Sequence, residues 1–67
     1  MESFGAWVRR MREERGLSQR DLAERIGMDP TWISAIENDR REPSLHVLQG
    51  LMGGLDIDLP WQTGEQP

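Results

Sequence analysis

A three-residue interruption between two short helical patterns constrains this chain more than any other feature. Leu22, Ala23 and Ile26 recur at helical spacing, and Gly27 and Met28 then break the pattern. Asp29 follows as an N-cap and Pro30 as the first helical residue, where its missing N–H costs nothing. Ile33 and Ile36 open a second helix, over residues 30–37, on the same inward register. That register turns Pro30, Thr31, Trp32, Ser34 and Ala35 outward.

The flanking segments add helices around this pair. Phe4, Val8 and Met11 fall at i, i+4 and i+7 with Trp7 beside them, which predicts a helix over about residues 3–15, stopped by Gly16. Ser18 caps the next helix, with Asp21 three residues later as in a capping box. After the turn formers Asn38 and Asp39, Ser44 caps a further helix with apolar positions Leu45, Leu48, Leu51, Met52 and Leu55. Gly50, Gly53 and Gly54 weaken it, since a helix-interior glycine costs about 1 kcal/mol relative to alanine. Either that helix frays, or another backbone, such as a second subunit, approaches it closely. Residues 55–61 alternate apolar and mostly polar positions, a strand-like signal. The expectation is an all-α, compact bundle of four to five helices, one domain over residues 1–59 followed by a polar tail at 60–67.

A chain of 67 residues makes a small core, and a partner or staple often supports one of that size. The lack of cysteine excludes disulfides and thiolate metal sites. No apolar run approaches the ~18 residues of a membrane span and no signal-peptide pattern opens the chain, so a cytoplasmic bacterial or phage protein is expected. Net charge is −4, but residues 46–67 supply three of those charges through Asp56, Asp58 and Glu65. All eight basic residues are arginines, placed between Arg9 and Arg41. His46 has no metal-ligand partner at i+4, and Asp56 and Asp58 read as a turn and a cap. No catalytic residue, metal, cofactor, membrane contact or small-molecule ligand is expected.

Leu17-Ser18-Gln19, Leu22-Ala23, Ile26-Gly27, Ile33-Ser34, Ile36-Glu37-Asn38 and Pro43-Ser44-Leu45 stand in order and at fixed spacing. In these residues, and over about residues 4–59, the chain resembles the helix-turn-helix domain of the phage Cro and C1 repressors, the Xre family. The resemblance implies a lambda repressor-like fold, a short fifth helix that Asp58 would cap, and double-stranded DNA as partner. In such a domain the second helix of the pair enters the major groove. Thr31, Trp32, Ser34 and Ala35 then face base edges, with the methyls of Thr31 and Ala35 suited to a thymine methyl. Gln19, Arg20, Asn38, Arg40 and Arg41 fall where phosphate contacts fix the register. Arg12 and Glu37 match positions that form a partly buried ion pair.

The expected function is a sequence-specific regulator of transcription, a small repressor acting as a homodimer on a pseudo-palindromic operator. Two half-sites about one helical turn apart multiply the specificity of one short helix. Leu55, Leu59 and Trp61 are the expected dimer anchors. The alternative is a protein-interaction module or antitoxin-type adaptor that uses the Trp32 face. The acidic balance favours that alternative, as do Pro30 and Ala35, which make no bidentate base contact.

Overall fold

The helices of this chain start and stop at local signals. A computed structural model describes residues 1–57, and among them four helices form: α1 (Phe4–Glu14), α2 (Gln19–Ile26), α3 (Pro30–Glu37) and α4 (Leu45–Gly54). Ser3, Ser18, Asp29 and Ser44 each accept a first-turn N–H, from Ala6, Asp21, Thr31 and Val47 respectively. At Ser18 the capping box is complete, because the Asp21 carboxylate also accepts the Ser18 N–H at 2.9 Å. Each helix is followed by a left-handed residue: Gly16 (φ 69°), Gly27 (φ 70°), Asp39 (φ 58°) and Asp56 (φ 58°). The next N–H then turns back into the helix, Leu17 to Arg12, Met28 to Ala23, Arg40 to Ala35 and Ile57 to Met52. These bonds satisfy carbonyls that a helix end leaves without partners.

Val8 of α1, Leu22 and Ala23 of α2, Ile33 and Ile36 of α3, and Leu51 and Met52 of α4 form the core with Leu55. Trp7, Met11, Leu17, Ile26, Val47, Leu48 and Ile57 pack against them. Two apolar expectations change. Phe4 and Leu45 are each the first residue of a helix, and both are exposed, at 39% and 61%. The apolar stripes of α1 and α4 meet the core only from Trp7 and Val47 onward.

Two glycines allow the helices to approach. A Cβ on Gly54 would lie 2.6 Å from Ile26 Cγ2 and 3.1 Å from Leu22 Cδ1. The alternative expected at the α4 glycines is the approach of another backbone; what lies close at Gly54 is instead the Ile26 and Leu22 side chains of α2. A Cβ on Gly5 would lie 2.3 Å from the Ile36 carbonyl oxygen, so α1 crosses directly over the end of α3. The glycine-rich end of α4 is also held from outside. The Arg25 guanidinium donates to the Gly54 carbonyl at 3.1 Å, and Arg15 donates to the Leu55 carbonyl. Cations at a helix C-terminus complement its dipole.

Leu55 cannot serve as an exposed dimer anchor, because it is fully buried in the chain's own core. Among the described residues no strand forms: the alternating segment begins as the close of α4. The expected fifth helix from Asp58, the anchors Leu59 and Trp61, and the tail at 60–67 lie outside the described residues. No described helix is long and apolar enough to cross a membrane.

Candidate nucleic-acid interface

Burial of Ile33 and Ile36 fixes the rotation of α3 and turns the opposite face outward. On that face Pro30, Thr31 and Trp32 are exposed, while Ser34 and Ala35 are half-buried. The N-terminus of α3 is closed by Asp29, whose carboxylate accepts the Thr31 N–H at 2.8 Å. That bond holds the Asp29 carboxyl below its usual range, so it carries its charge at neutral pH.

The far end of α3 is anchored by charge. Arg12 donates to Glu37 through Nε at 2.6 Å and Nη2 at 3.0 Å, and its Nη1 reaches the Leu17 carbonyl at 2.8 Å. Both residues are buried, and the bonds to Glu37 raise the Arg12 pKa against the opposing effect of burial. Gln19 Nε2 joins them, donating to Glu37 Oε1 at 3.1 Å. The expected ion pair is thus a three-residue network tying α1, the start of α2 and the end of α3. Asp39 reinforces it: its Oδ1 accepts the Gly5 N–H at 3.0 Å, so the left-handed residue that follows α3 also satisfies the first turn of α1.

Five of the eight arginines serve the scaffold. Arg9 pairs with Glu13 at 3.2 Å, and Arg10 with Glu2 and Glu14 at 2.9 and 3.3 Å. Arg12 pairs with Glu37, while Arg15 and Arg25 cap α4. The other three are Arg20, Arg40 and Arg41. All three are exposed, and among the described residues none pairs with a carboxylate. Arg20 follows Gln19, which touches the last residue of α3, and Arg40 and Arg41 follow α3 itself. These three positions thus adjoin the start of α2 and the end of α3, which Gln19 and Glu37 hold together. The Arg41 guanidinium lies over the Trp32 ring, with Cζ 4.2 Å from the ring centroid.

Not every expected contact residue is free. Gln19 is turned to Glu37, leaving one Nε2 hydrogen for an outside acceptor. Asn38 is exposed, but its Nδ2 donates to the Ser34 carbonyl at 2.9 Å. The outward set thus reduces to Thr31 and Trp32, with Ser34 and Ala35 at its inner edge and arginines beside it.

A family model described as helix-turn-helix matches residues 8–62. The chain belongs to the helix-turn-helix family, of Cro/C1 type. It is similar to the immunity repressor protein of Bacillus phage phi105, at 36% identity over 64 residues, which is 96% of this chain and 44% of that protein. This helix-turn-helix chain therefore spans less than half the length of the phage repressor. The restriction-modification controller protein C.AhdI from Aeromonas hydrophila superposes with a TM-score of 0.80 at 36% identity, covering 82% of this chain and 83% of that one. The controller protein C.Esp1396I, solved as a tetramer with its natural 35 base-pair operator, gives 0.77 at 34% identity, covering 85% and 82%.

Within this helix-turn-helix fold, three features escape the sequence pattern. Asp39 carries the signal of a turn former, but nothing local ties it to Gly5, 34 residues earlier. Arg15 and Arg25 carry no sequence signal that ties them to the end of α4, where their guanidinium groups donate to the Leu55 and Gly54 carbonyls. The stacking of Arg41 on Trp32 joins residues nine positions apart in different elements, a spacing that carries no helical signal.

Proposed function

We propose that this chain is a sequence-specific DNA-binding regulator of transcription, a small repressor that reads a pseudo-palindromic operator as a homodimer. The observation that carries this is the set of three exposed arginines without a carboxylate partner among the described residues, Arg20 at the start of α2 and Arg40 and Arg41 just after α3, with Arg41 lying over Trp32 on the outward face of α3. In this reading α3 enters the major groove, and Thr31, Trp32, Ser34 and Ala35 meet base edges. Arg20, Arg40 and Arg41, with the remaining donor of Gln19 and the exposed edge of Asn38, meet phosphates and set the register. Thr31 and the indole N–H of Trp32 are the exposed hydrogen-bonding groups in the base-facing set, and neither makes a bidentate base contact, so apolar contact and DNA shape carry much of the specificity. The similarity to a phage immunity repressor and to a controller solved with its operator supports the reading. Leu59 and Trp61 remain the proposed dimer anchors, and the proposed place of action is the cytoplasm. The family is one of DNA-binding regulators rather than of enzymes, and no turnover is proposed for His46.

The salt dependence of duplex binding tests the phosphate assignment. Neutralising three phosphates per protomer predicts a log–log slope of about −2.7 per protomer, from about 0.9 for each. The triple variant Arg20→Ala/Arg40→Ala/Arg41→Ala should remove most of that slope. Arg9→Ala, whose guanidinium pairs with Glu13 on α1, should leave it unchanged. A flat salt response, or equal losses in the triple variant and Arg9→Ala, would contradict the assignment.

A further inference from the structure

We infer that Trp32 is a positioning residue for Arg41, and that the two form a single phosphate-binding unit joining the recognition helix to the loop behind it. This rests on the DNA-binding reading above and deepens it. Arg41 sits in the segment between α3 and α4, on a long side chain that would otherwise sample many rotamers. Trp32 is 39% exposed on the outer face of α3, and its ring lies 4.2 Å from the Arg41 guanidinium carbon. At that separation the cation is attracted to the ring quadrupole.

The guanidinium carbon lies over the face of the ring, and arginine stacks on aromatic faces through its planar group. Stacking leaves the in-plane N–H edge of the guanidinium open, and that edge forms the paired bonds to a phosphate. The ring therefore holds the charge in place without consuming its donors. A side chain ordered before binding also loses less freedom on binding. Trp32 is adjacent to Thr31, so the held guanidinium lies alongside the base-reading turn of α3. The pair thus couples a phosphate contact to the orientation of the reading helix. A tryptophan on a reading surface would ordinarily be counted as an apolar contact alone.

The coupling is testable because an uncharged ring releases no counterion itself. Affinity for a bound duplex is measured over about 50 to 200 mM salt, a range in which phosphate contacts dominate the change. The variants are Trp32→Leu, Trp32→Phe, Arg41→Ala and Trp32→Leu/Arg41→Ala, each checked for native helicity. Arg41→Ala should lower the slope by about 0.9 per protomer. Trp32→Leu should lower it by part of that amount, and Trp32→Phe, which keeps a ring, should restore it. In the Arg41→Ala background Trp32→Leu should change the slope no further, with a coupling of about 2- to 5-fold in affinity.

The DNA-free protein supplies a second readout. Arg41 side-chain protons should show a ring-current shift that Trp32→Leu abolishes. This keeps the inference falsifiable in the native protein if Trp32→Leu fails to fold. No such shift, an unchanged slope in Trp32→Leu, or independent losses in the double variant would each overturn it. Failure of the native protein to bind any duplex overturns the underlying reading as well. Binding without coupling overturns only the role given to Trp32.

Discussion

Glu37 shows how one side chain can anchor the helix that carries the proposed reading surface without belonging to that surface. It accepts from Arg12 twice and from Gln19 once, and it is buried at the end of α3. Removing one partner of a buried ion pair costs about 3–5 kcal/mol, because the other charge stays buried alone. A domain of this size has roughly 3–10 kcal/mol of stability in total. Glu37→Ala should therefore lower the chemical-denaturation midpoint severely, while Arg12→Met/Glu37→Leu, which removes both charges, should keep more stability. A loss under about 1 kcal/mol for Glu37→Ala would show that the pair does not anchor α3. The residues of this pair were legible in the sequence only through the family resemblance, since nothing in their spacing joins position 12 to position 37. Gln19 was legible as a polar residue at a helix start, but its turn toward Glu37 depends on where α3 ends. Trp32 was legible as outward because Ile33 points in, and its partner Arg41 was not.

The helices were legible because their ends are local. Ser18 with Asp21, and Asp29 with Pro30, announce α2 and α3 within four residues of sequence. Contacts between elements were less so. Gly53 and Gly54 look alike in sequence, yet a Cβ at Gly53 meets nothing within 4 Å and one at Gly54 meets Ile26 and Leu22. Ile26 is stiff at its branched Cβ and Leu22 is fully buried, so neither yields easily. Gly53→Ala should stabilise the protein by about 0.5–1 kcal/mol through helix propensity. Gly54→Ala should destabilise it despite the same gain in propensity. Thermal melting of the two variants separates these effects, and a rise in midpoint for Gly54→Ala would contradict the α2–α4 packing described here. Leu55 makes the same point for function. Its apolar character suggested an anchor for a partner, and only the path of α4 shows that the chain's own core takes it.

For the whole molecule, net charge is a poor guide to its electrostatics. The chain carries −4, the opposite of what affinity for DNA suggests. Local arrangement tempers that expectation, because the scaffold uses five arginines and leaves Arg20 at the start of α2 and Arg40 and Arg41 after α3 without a carboxylate partner among the described residues. On the proposed reading, modest non-specific affinity follows from the acidic remainder, and discrimination rests on the fit of α3 and on two half-sites acting together. Selection of bound duplexes from a random pool tests this most directly, with Thr31→Ala and Arg41→Ala run alongside the native protein. The account predicts a pseudo-palindromic motif, relaxed at one position of each half-site by Thr31→Ala and weakened evenly across all sequences by Arg41→Ala. No enrichment at low salt, or a motif indifferent to Thr31→Ala, would contradict α3 as the reading helix.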